Sequence, residues 1–425
     1  MHLFVKVAIL LVPACAFVLN PINSNSQQFN LRSSHPRSQQ NRDYDHHHLT
    51  RRKASTLREK SCTSTHSCSN NSDDAGDQFI TLPQYLRDHN VDHELHEIIC
   101  QTANACLKIS QELAKLPITS LLKDDKKKES GNINVQGEEQ KPMDVVANEI
   151  FISSLKDRVA AMASEEEEDI IKSENPLDSS YEIAFDPLDG SSNLDVSVPT
   201  GSIFGIAPHT PTNPFSSSGR SLVSAGYSVY SSSLEFVISL SPSTVSESQS
   251  DDKSNLEQSA AAGFTLDPRR LSSNCEVDGA ECFVLPRPNM KCPPKGNFYS
   301  LNDGREPDWP EGLKSWIHDA KRGLTPSGTT YSSRYVCSLC ADVHRTFIKG
   351  GWAGNPRPHL RLLYEAAPLA HIAEACGGRG SDGIMNLLDI KPVDLHSRTC
   401  VFIGSIEDVK ELESYGDVQQ SPKTY

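Results

Sequence analysis

Apolar residues recur at helical spacing over residues 92–116, where Leu95, Ile98, Ile99, Ala105, Cys106, Ile109 and Leu113 share one face and predict an amphipathic helix. Cys100 and Cys106 ride on that helix and are expected in the core. A second stretch, 143 to about 163, has the same apolar periodicity and predicts another helix. Between them, residues 123–141 are polar, with two aspartates followed by a lysine run, and read as a mobile loop. The pattern then changes period. Tyr181-Glu182-Ile183-Ala184-Phe185 alternates as a strand does and stops at Asp186-Pro187, and residues 202–207 and 224–240 are further β-type runs. Residues 242–262 are mostly Ser, Asp, Glu and Gln and read as a solvated insertion. Short β runs and helices then alternate to Tyr415, without internal repeat, which predicts a layered α/β architecture.

The first 80 residues follow other rules. Lys6 precedes an apolar run over 7–18 that is too short to span a bilayer and suits a signal-peptide core. From 20 to about 60 the chain is rich in Ser, Asn, Gln, His and Arg with few acids, as transit peptides are. The Ala14-Cys15-Ala16-Phe17 junction resembles the cleavage site of two-part plastid presequences. A plastid address is therefore expected, with ordered sequence beginning near Ile80. The net charge of −14 argues against gripping nucleic acid or an anionic membrane through a basic face. Twelve cysteines spread over 425 residues do not make a dense disulfide framework.

The candidate chemistry lies where the first clear strand ends. In Asp186-Pro187-Leu188-Asp189-Gly190-Ser191-Ser192, a turn can aim two carboxylates and the Leu188 carbonyl into one site as hard oxygen donors. Gly190 permits close backbone approach, and the N–H groups of residues 190–192 can cradle a phosphate. An Asp-Pro turn with an Asp-Gly exit is also an ordinary loop. Residues 165–169 add five acids directly after the second predicted helix, a run that is usually solvated surface but that a magnesium site would need.

Phe185-Asp186-Pro187-Leu188-Asp189-Gly190-Ser191-Ser192-Asn193-Leu194-Asp195 resembles the signature of the fructose-1,6-bisphosphatase family, and further segments resembling that family follow in order. They include Ser164-Glu165-Glu166, Tyr299-Ser300-Leu301-Asn302, Arg334-Tyr335-Val336, Ala341-Asp342-Val343-His344-Arg345-Thr346 and Leu360-Arg361-Leu362-Leu363-Tyr364-Glu365. The resemblance covers about 80–415. It implies a layered αβαβα fold of two α/β subdomains with the active site between them, and magnesium-dependent hydrolysis of fructose 1,6-bisphosphate. The implied organisation is a signal peptide (1–16), a transit peptide and linker (17–78), a regulatory-type subdomain (79–285), a sugar-phosphate-binding subdomain (286–416) and a tail (417–425).

Residue by residue, the resemblance assigns Glu165, Asp186, Asp189 and Glu365 to two or three magnesium ions, with the Leu188 carbonyl. Glu138 stands where the family often has Asp; it is either a third-metal helper or a solvated loop acid. Asp144 and Glu166 match the carboxylates that polarise the attacking water. Gly190, Ser191 and Ser192 would hold the departing phosphate. Asn302, Arg334, Tyr335, Leu339, His359 and Arg361 would grip the sugar and its distal phosphate, with Arg334 supplied by a neighbouring subunit of a homodimer or homotetramer. Arg305, Asn355 and His359 depart from the family's usual tyrosines and lysine, and residues 365–369 and 381–383 resemble sedoheptulose-1,7-bisphosphatase, so that substrate is the alternative. Other readings are a catalytically silent sugar-phosphate-binding paralogue and an inositol-monophosphatase-type enzyme.

Cys337 and Cys340 have redox or zinc half-site spacing but no second pair, and are expected to be packed. Cys275, Cys282 and Cys292 cluster without a determined pairing. The segment that carries redox cysteines in plant plastid relatives has none here, so thioredoxin control by that route is not expected. The family's AMP-binding run is missing around 88–94, so AMP should inhibit weakly or not at all.

Overall fold

A computed structural model describes residues 79–117, 132–133, 139–173, 179–244, 260–271 and 278–421. The expected presequence, Glu138, Cys275 and most of the predicted insertion lie outside them. At the amino end, α1 (Leu82–Asp88) and α2 (His93–Leu113) are followed by a short ribbon of β1 (Asn132–Ile133) and β2 (Glu139–Gln140), then by α3 (Pro142–Leu155). Asp92 caps α2 by accepting the Leu95 N–H at 3.0 Å. Pro142 opens α3, where its missing N–H costs nothing.

The second predicted helix is shorter than expected. It ends at Leu155, and Ala161–Ser164 is a strand, β3. Ala, Met and Ala have no strand preference of their own, but β3 pairs in parallel with β5 (Tyr181–Asp189) and is buried on both faces, so tertiary pairing overrides local propensity. Beyond it lie β4 (Ile171–Lys172), β6 (Thr200–Pro208), β7 (Ser224–Tyr230), β8 (Leu234–Leu240), β9 (Ala260–Leu266) and β10 (Phe283–Arg287). They form an eight-stranded sheet of order β10-β9-β8-β7-β6-β5-β3-β4. Residues 260–262, expected in the solvated insertion, are strand β9. The run over 224–240 is two strands joined by a turn at Ser231-Ser232-Ser233.

The carboxyl half adds β11 (Phe298–Ser300), α4 (Glu311–Arg322), β12 (Ser332–Ser333), α5 (Leu339–Lys349), β13 (Trp352–Arg361), α6 (Ala367–Ala375), β14 (Arg379–Ser381), β15 (Arg398–Gly404) and α7 (Ile406–Ser414). Its strands form a five-stranded sheet of order β12-β11-β13-β15-β14. Among the described residues, the three largest apolar cores divide the layers. Helices α1, α2 and α3 cover one face of the large sheet against Phe236, Ile238 and Leu240, while Val237 of the same strand points to the opposite face. There α5 and α6 fill the space between the sheets, against Tyr227 on one side and Ala353, Val401 and Ile403 on the other. On the outer face of the small sheet α4 and α7 bury Trp316, Leu313, Val409 and Leu412 against Trp352 and Phe402. The result is the layered αβαβα fold.

Two histidines in the middle layer make an acid-sensitive seam. His371 bonds Ser239 at 2.7 Å and Ser241 at 3.0 Å, His344 bonds Tyr227 at 2.9 Å, and burial lowers the pKa of each to about 4. The unfolded chain binds those protons at its ordinary value near 6.5, so stability is full above 6.5 and falls as pH drops toward 4. Each histidine should account for about 1.4 kcal/mol per pH unit in that window. Urea unfolding at stepped pH should show a shallower acid loss for His371→Gln. The comparison of variant with wild type isolates the effect from buried carboxylates of raised pKa, whose slope has the opposite sign. An identical pH slope in the variant would contradict the assignment.

Candidate active site

Strand β5 carries both aspartates of its terminal turn. Residues three apart on a regular strand point to opposite faces, but the pairing of β5 with β6 slips between Asp186 and Asp189, and that bulge re-aims the side chains. Gly190 then turns the chain with φ +75°, a conformation that costs a side chain energy, into a short 3₁₀ helix, Ser191–Val196. Glu365 arrives from a π-helical turn, Leu362–Ala366, between β13 and α6. Carboxylate oxygens of Asp186, Asp189 and Glu365 lie within 4.8 Å of one another, and all three residues are buried.

Glu165 follows β3 and faces the same cavity. Arg361 lies 2.6 Å from its carboxylate and 3.9 Å from that of Glu365, and the Arg361 N–H donates to Glu365 at 2.6 Å. Burial, followed by repulsion from Glu165, Asp189 and Glu365, holds Asp186 well above the usual carboxylate range. Glu365 is raised well above its usual range by burial and then by Glu165, with Arg361 opposing. Asp189 is raised by burial, against donation from the Cys340 N–H and the Ser338 hydroxyl, each at 2.9 Å. Three buried carboxylates that repel one another, all hard oxygen donors, suit a hard divalent cation.

Asp144 stands in the first turn of α3, 4 % exposed, and accepts the Lys141 N–H at 2.8 Å. Burial raises its pKa to about 6; the Lys141 N–H and Ser191 oppose the rise, and Glu166 adds to it. Asp144, Glu166 and the acidic cluster line one cavity of about 330 Å³, together with Leu188, Gly190, Ser191, Ser192, Tyr335, Leu339, His359 and Arg361. Asn302 lies in an adjoining pocket of about 260 Å³ that shares Tyr335, Cys337, Asn355 and His359 with the first. Arg334 lines neither. It is exposed, donates to the Ser333 carbonyl at 2.8 Å and lies over the Phe298 ring at 5.4 Å. Arg398 lies 3.3 Å from His359 Nδ1 and donates to the His359 carbonyl at 3.3 Å.

Several residues of this region carry no motif that marks them. Ser338 is the N-cap of α5, recognisable only as a serine before an apolar-periodic run, and its bond to Asp189 spans 149 positions. Arg357 lines the adjoining pocket beside Arg305. Cys337, expected to be packed, is exposed at the junction of the two cavities with φ +66°, and accepts a hydrogen bond from Tyr335 at 3.1 Å. Cys340, Cys282 and Cys292 are buried free thiols, as are Cys100 and Cys106. Among the described residues, no helix is long and apolar enough to cross a membrane.

Fold and site together define a layered α/β protein whose converging carboxylates are suited to a hard divalent cation. Comparison with known proteins narrows the class. Sequence profiles of the fructose-1-6-bisphosphatase N-terminal and C-terminal domains match residues 78–253 and 292–417. The chain belongs to the fructose-1,6-bisphosphatase family. It is 36 % identical over 375 residues to a chloroplastic fructose-1,6-bisphosphatase of Pisum sativum, covering 80 % of this chain and 84 % of that protein. It is 38 % identical over 352 residues to the chloroplastic protein of Brassica napus, covering 76 % of this chain and 78 % of that protein. The crystal structure of Leishmania major fructose-1,6-bisphosphatase in holo form superposes with a TM-score of 0.67 at 30 % identity, covering 80 % of this chain and 99 % of that one.

Proposed function

We propose that the chain removes the 1-phosphate of fructose 1,6-bisphosphate, giving fructose 6-phosphate and inorganic phosphate. The observation that carries this is the convergence of three buried carboxylates beside the Gly190-Ser191-Ser192 turn in one cavity, in a chain of this family. Asp186, Asp189, Glu365 and Glu165, with the Leu188 carbonyl, are the residues that would hold two or three Mg²⁺ ions, Glu138 being the candidate for a third. Magnesium there supplies charge neutralisation on the phosphoryl oxygens and makes water more acidic.

The chain's own groups do the rest. The N–H groups and hydroxyls of residues 190–192 hold the phosphate that leaves. Asp144 and Glu166 orient the attacking water and accept its proton. Arg361 balances the Glu165 carboxylate and faces the sugar. Tyr335, Leu339, Asn302 and His359 hold the sugar and its distal phosphate. Phosphate release from a panel of sugar bisphosphates, with Mg²⁺ and with chelator, tests the reading; no release from fructose 1,6-bisphosphate at saturating Mg²⁺ would overturn it.

Sedoheptulose 1,7-bisphosphate is the second candidate in that panel. The pocket beyond Tyr335 carries Arg305, Asn355, Arg357 and His359, so the distal end of the site departs from the usual family pattern where a sugar one carbon longer would reach. Both substrates should turn over, with the higher kcat/KM for the fructose ester.

Family members are typically oligomeric, and exposed Arg334 is suited to reach a neighbouring subunit's site. Arg334→Ala should raise KM more than it lowers kcat. Mixed oligomers of Arg334→Ala and Asp189→Ala chains should recover activity that the Asp189→Ala parent lacks and substrate affinity that the Arg334→Ala parent lacks. Absence of complementation in verified mixed oligomers would count against a shared site. The chloroplastic relatives and the basic, acid-poor segment before residue 60 support a plastid address, which a fluorescent fusion of residues 1–78 tests.

A further inference from the structure

The first turn of α5 is bonded to two places that the sequence keeps far apart. Ser338, its N-cap, donates to Asp189 at 2.9 Å, and the Cys340 N–H donates to the same carboxylate oxygen at 2.9 Å. Farther along the turn, both carboxylate oxygens of Asp342 accept the Val336 N–H at 3.2 Å. Arg345, one turn on, bonds Asp342 at 2.8 Å and donates to the Arg334 carbonyl. The loop that carries Arg334 and Tyr335 is therefore held by the same helical turn that holds an acid of the catalytic cluster. The seat is close: a Cβ at Gly201 of β6 would fall 2.4 Å from the Cβ of Cys340, so only glycine lets α5 settle there.

We propose that the first turn of α5 is a strut that keeps the sugar-binding loop and the acidic centre in one register, with Ser338 positioning Asp189 and Asp342 positioning Tyr335. The proposal rests on the function argued above. Each end has its own signature. A hydroxyl donating to a ligating carboxylate fixes the oxygen that faces the cation, and removing such a supporting partner weakens metal affinity about 10–100-fold. Asp342 has no hydrogen bond to the acidic cluster. Its loss frees the backbone of Val336 and with it the tyrosine beside the sugar.

Calorimetry of Mg²⁺ binding to substrate-free protein and kinetics on fructose 1,6-bisphosphate separate the two ends. Ser338→Ala should weaken Mg²⁺ binding by about 10-fold or more. Ser338→Cys, a weaker donor of similar shape, should show a smaller loss in the same direction and serves where the alanine variant does not fold. Asp342→Ala, which removes both acceptors of the Val336 N–H, should leave Mg²⁺ binding within about twofold and raise KM about 10-fold with kcat little changed, the split expected when only binding is loosened. Asp342→Asn, whose amide oxygen still accepts the Val336 N–H, should recover part of that KM and serves where the alanine variant does not fold. Unchanged Mg²⁺ binding in both Ser338 variants, or a fall in kcat at unchanged KM in the Asp342 variants, overturns the strut. A lowered melting temperature without these effects would reduce the turn to scaffolding and also overturns it. If the wild-type chain releases no phosphate from any sugar bisphosphate, the functional reading fails, while calorimetry of the Ser338 variants still decides the metal end.

Discussion

Asp189→Ala should lower kcat/KM on fructose 1,6-bisphosphate by on the order of 10³-fold or more, because losing one cation-binding carboxylate forfeits several kcal/mol of transition-state charge stabilisation. The fold should survive. Asp189 is packed among Asp186, Glu365 and Glu165, and its removal relieves one part of the repulsion that, after burial, holds Asp186 above its ordinary pKa. Against that gain stand the lost bonds from Ser338 and the Cys340 N–H, which leave two buried donors to find water in the cavity. The two effects oppose, so metal-free stability should stay near that of wild type. A cation that binds only the native state raises the melting temperature with the logarithm of its concentration over Kd, so added Mg²⁺ should stabilise wild type and stabilise the variant far less. Activity retained at saturating Mg²⁺ would remove Asp189 from the metal-binding set. A variant that is inactive but still fully stabilised by Mg²⁺ would place the cation elsewhere in the cavity.

The parts of this site that the sequence makes legible are those built within one stretch of chain. Asp186, Asp189, Gly190 and the two serines fall within one run of seven residues, and strand alternation followed by a glycine turn announces them before any fold is known. The helix over His93–Leu113 is legible for the same reason, since one apolar face repeats for five turns. Where both faces of a segment are buried, periodicity carries no information, and the boundary between α3 and β3 is not legible there. Ala160-Ala161-Met162-Ala163 reads as the continuation of a helix, and only pairing with Ile183 and Ala184 makes it a strand. Contacts that close the site across long separations are illegible for a different reason. Nothing local to Ser338 says that its hydroxyl meets Asp189, and nothing local to Cys337 says that it opens onto the cavity rather than packing beneath it. The resemblance to a known family points to Glu365 and Arg361 because their segment is distinctive, but nothing in it says that Arg361 pairs with Glu165 at 2.6 Å.

Asp144→Asn and Glu166→Gln should each reduce kcat by about 10²–10³-fold with little change in KM, the loss expected when a group that orients water and takes its proton can no longer accept it. Both substitutions keep shape and polarity. The amide oxygen of the introduced asparagine can still accept the Lys141 N–H that caps α3, so the helix start should hold. The two acids act on one another as well as on water: each is in the cavity, and Glu166 contributes to the raised pKa of Asp144. If they serve one proton transfer, the double variant should lose little more than the worse single variant, because a transfer already disabled cannot be disabled twice. Full multiplication of the two losses would instead mean separate tasks. Mg²⁺ binding provides the control, since neither residue belongs to the cluster of Asp186, Asp189 and Glu365. Calorimetric Mg²⁺ affinity should therefore change much less than kcat. A raised KM at unchanged kcat in either single variant would take that residue off the path of the water and place it against the substrate.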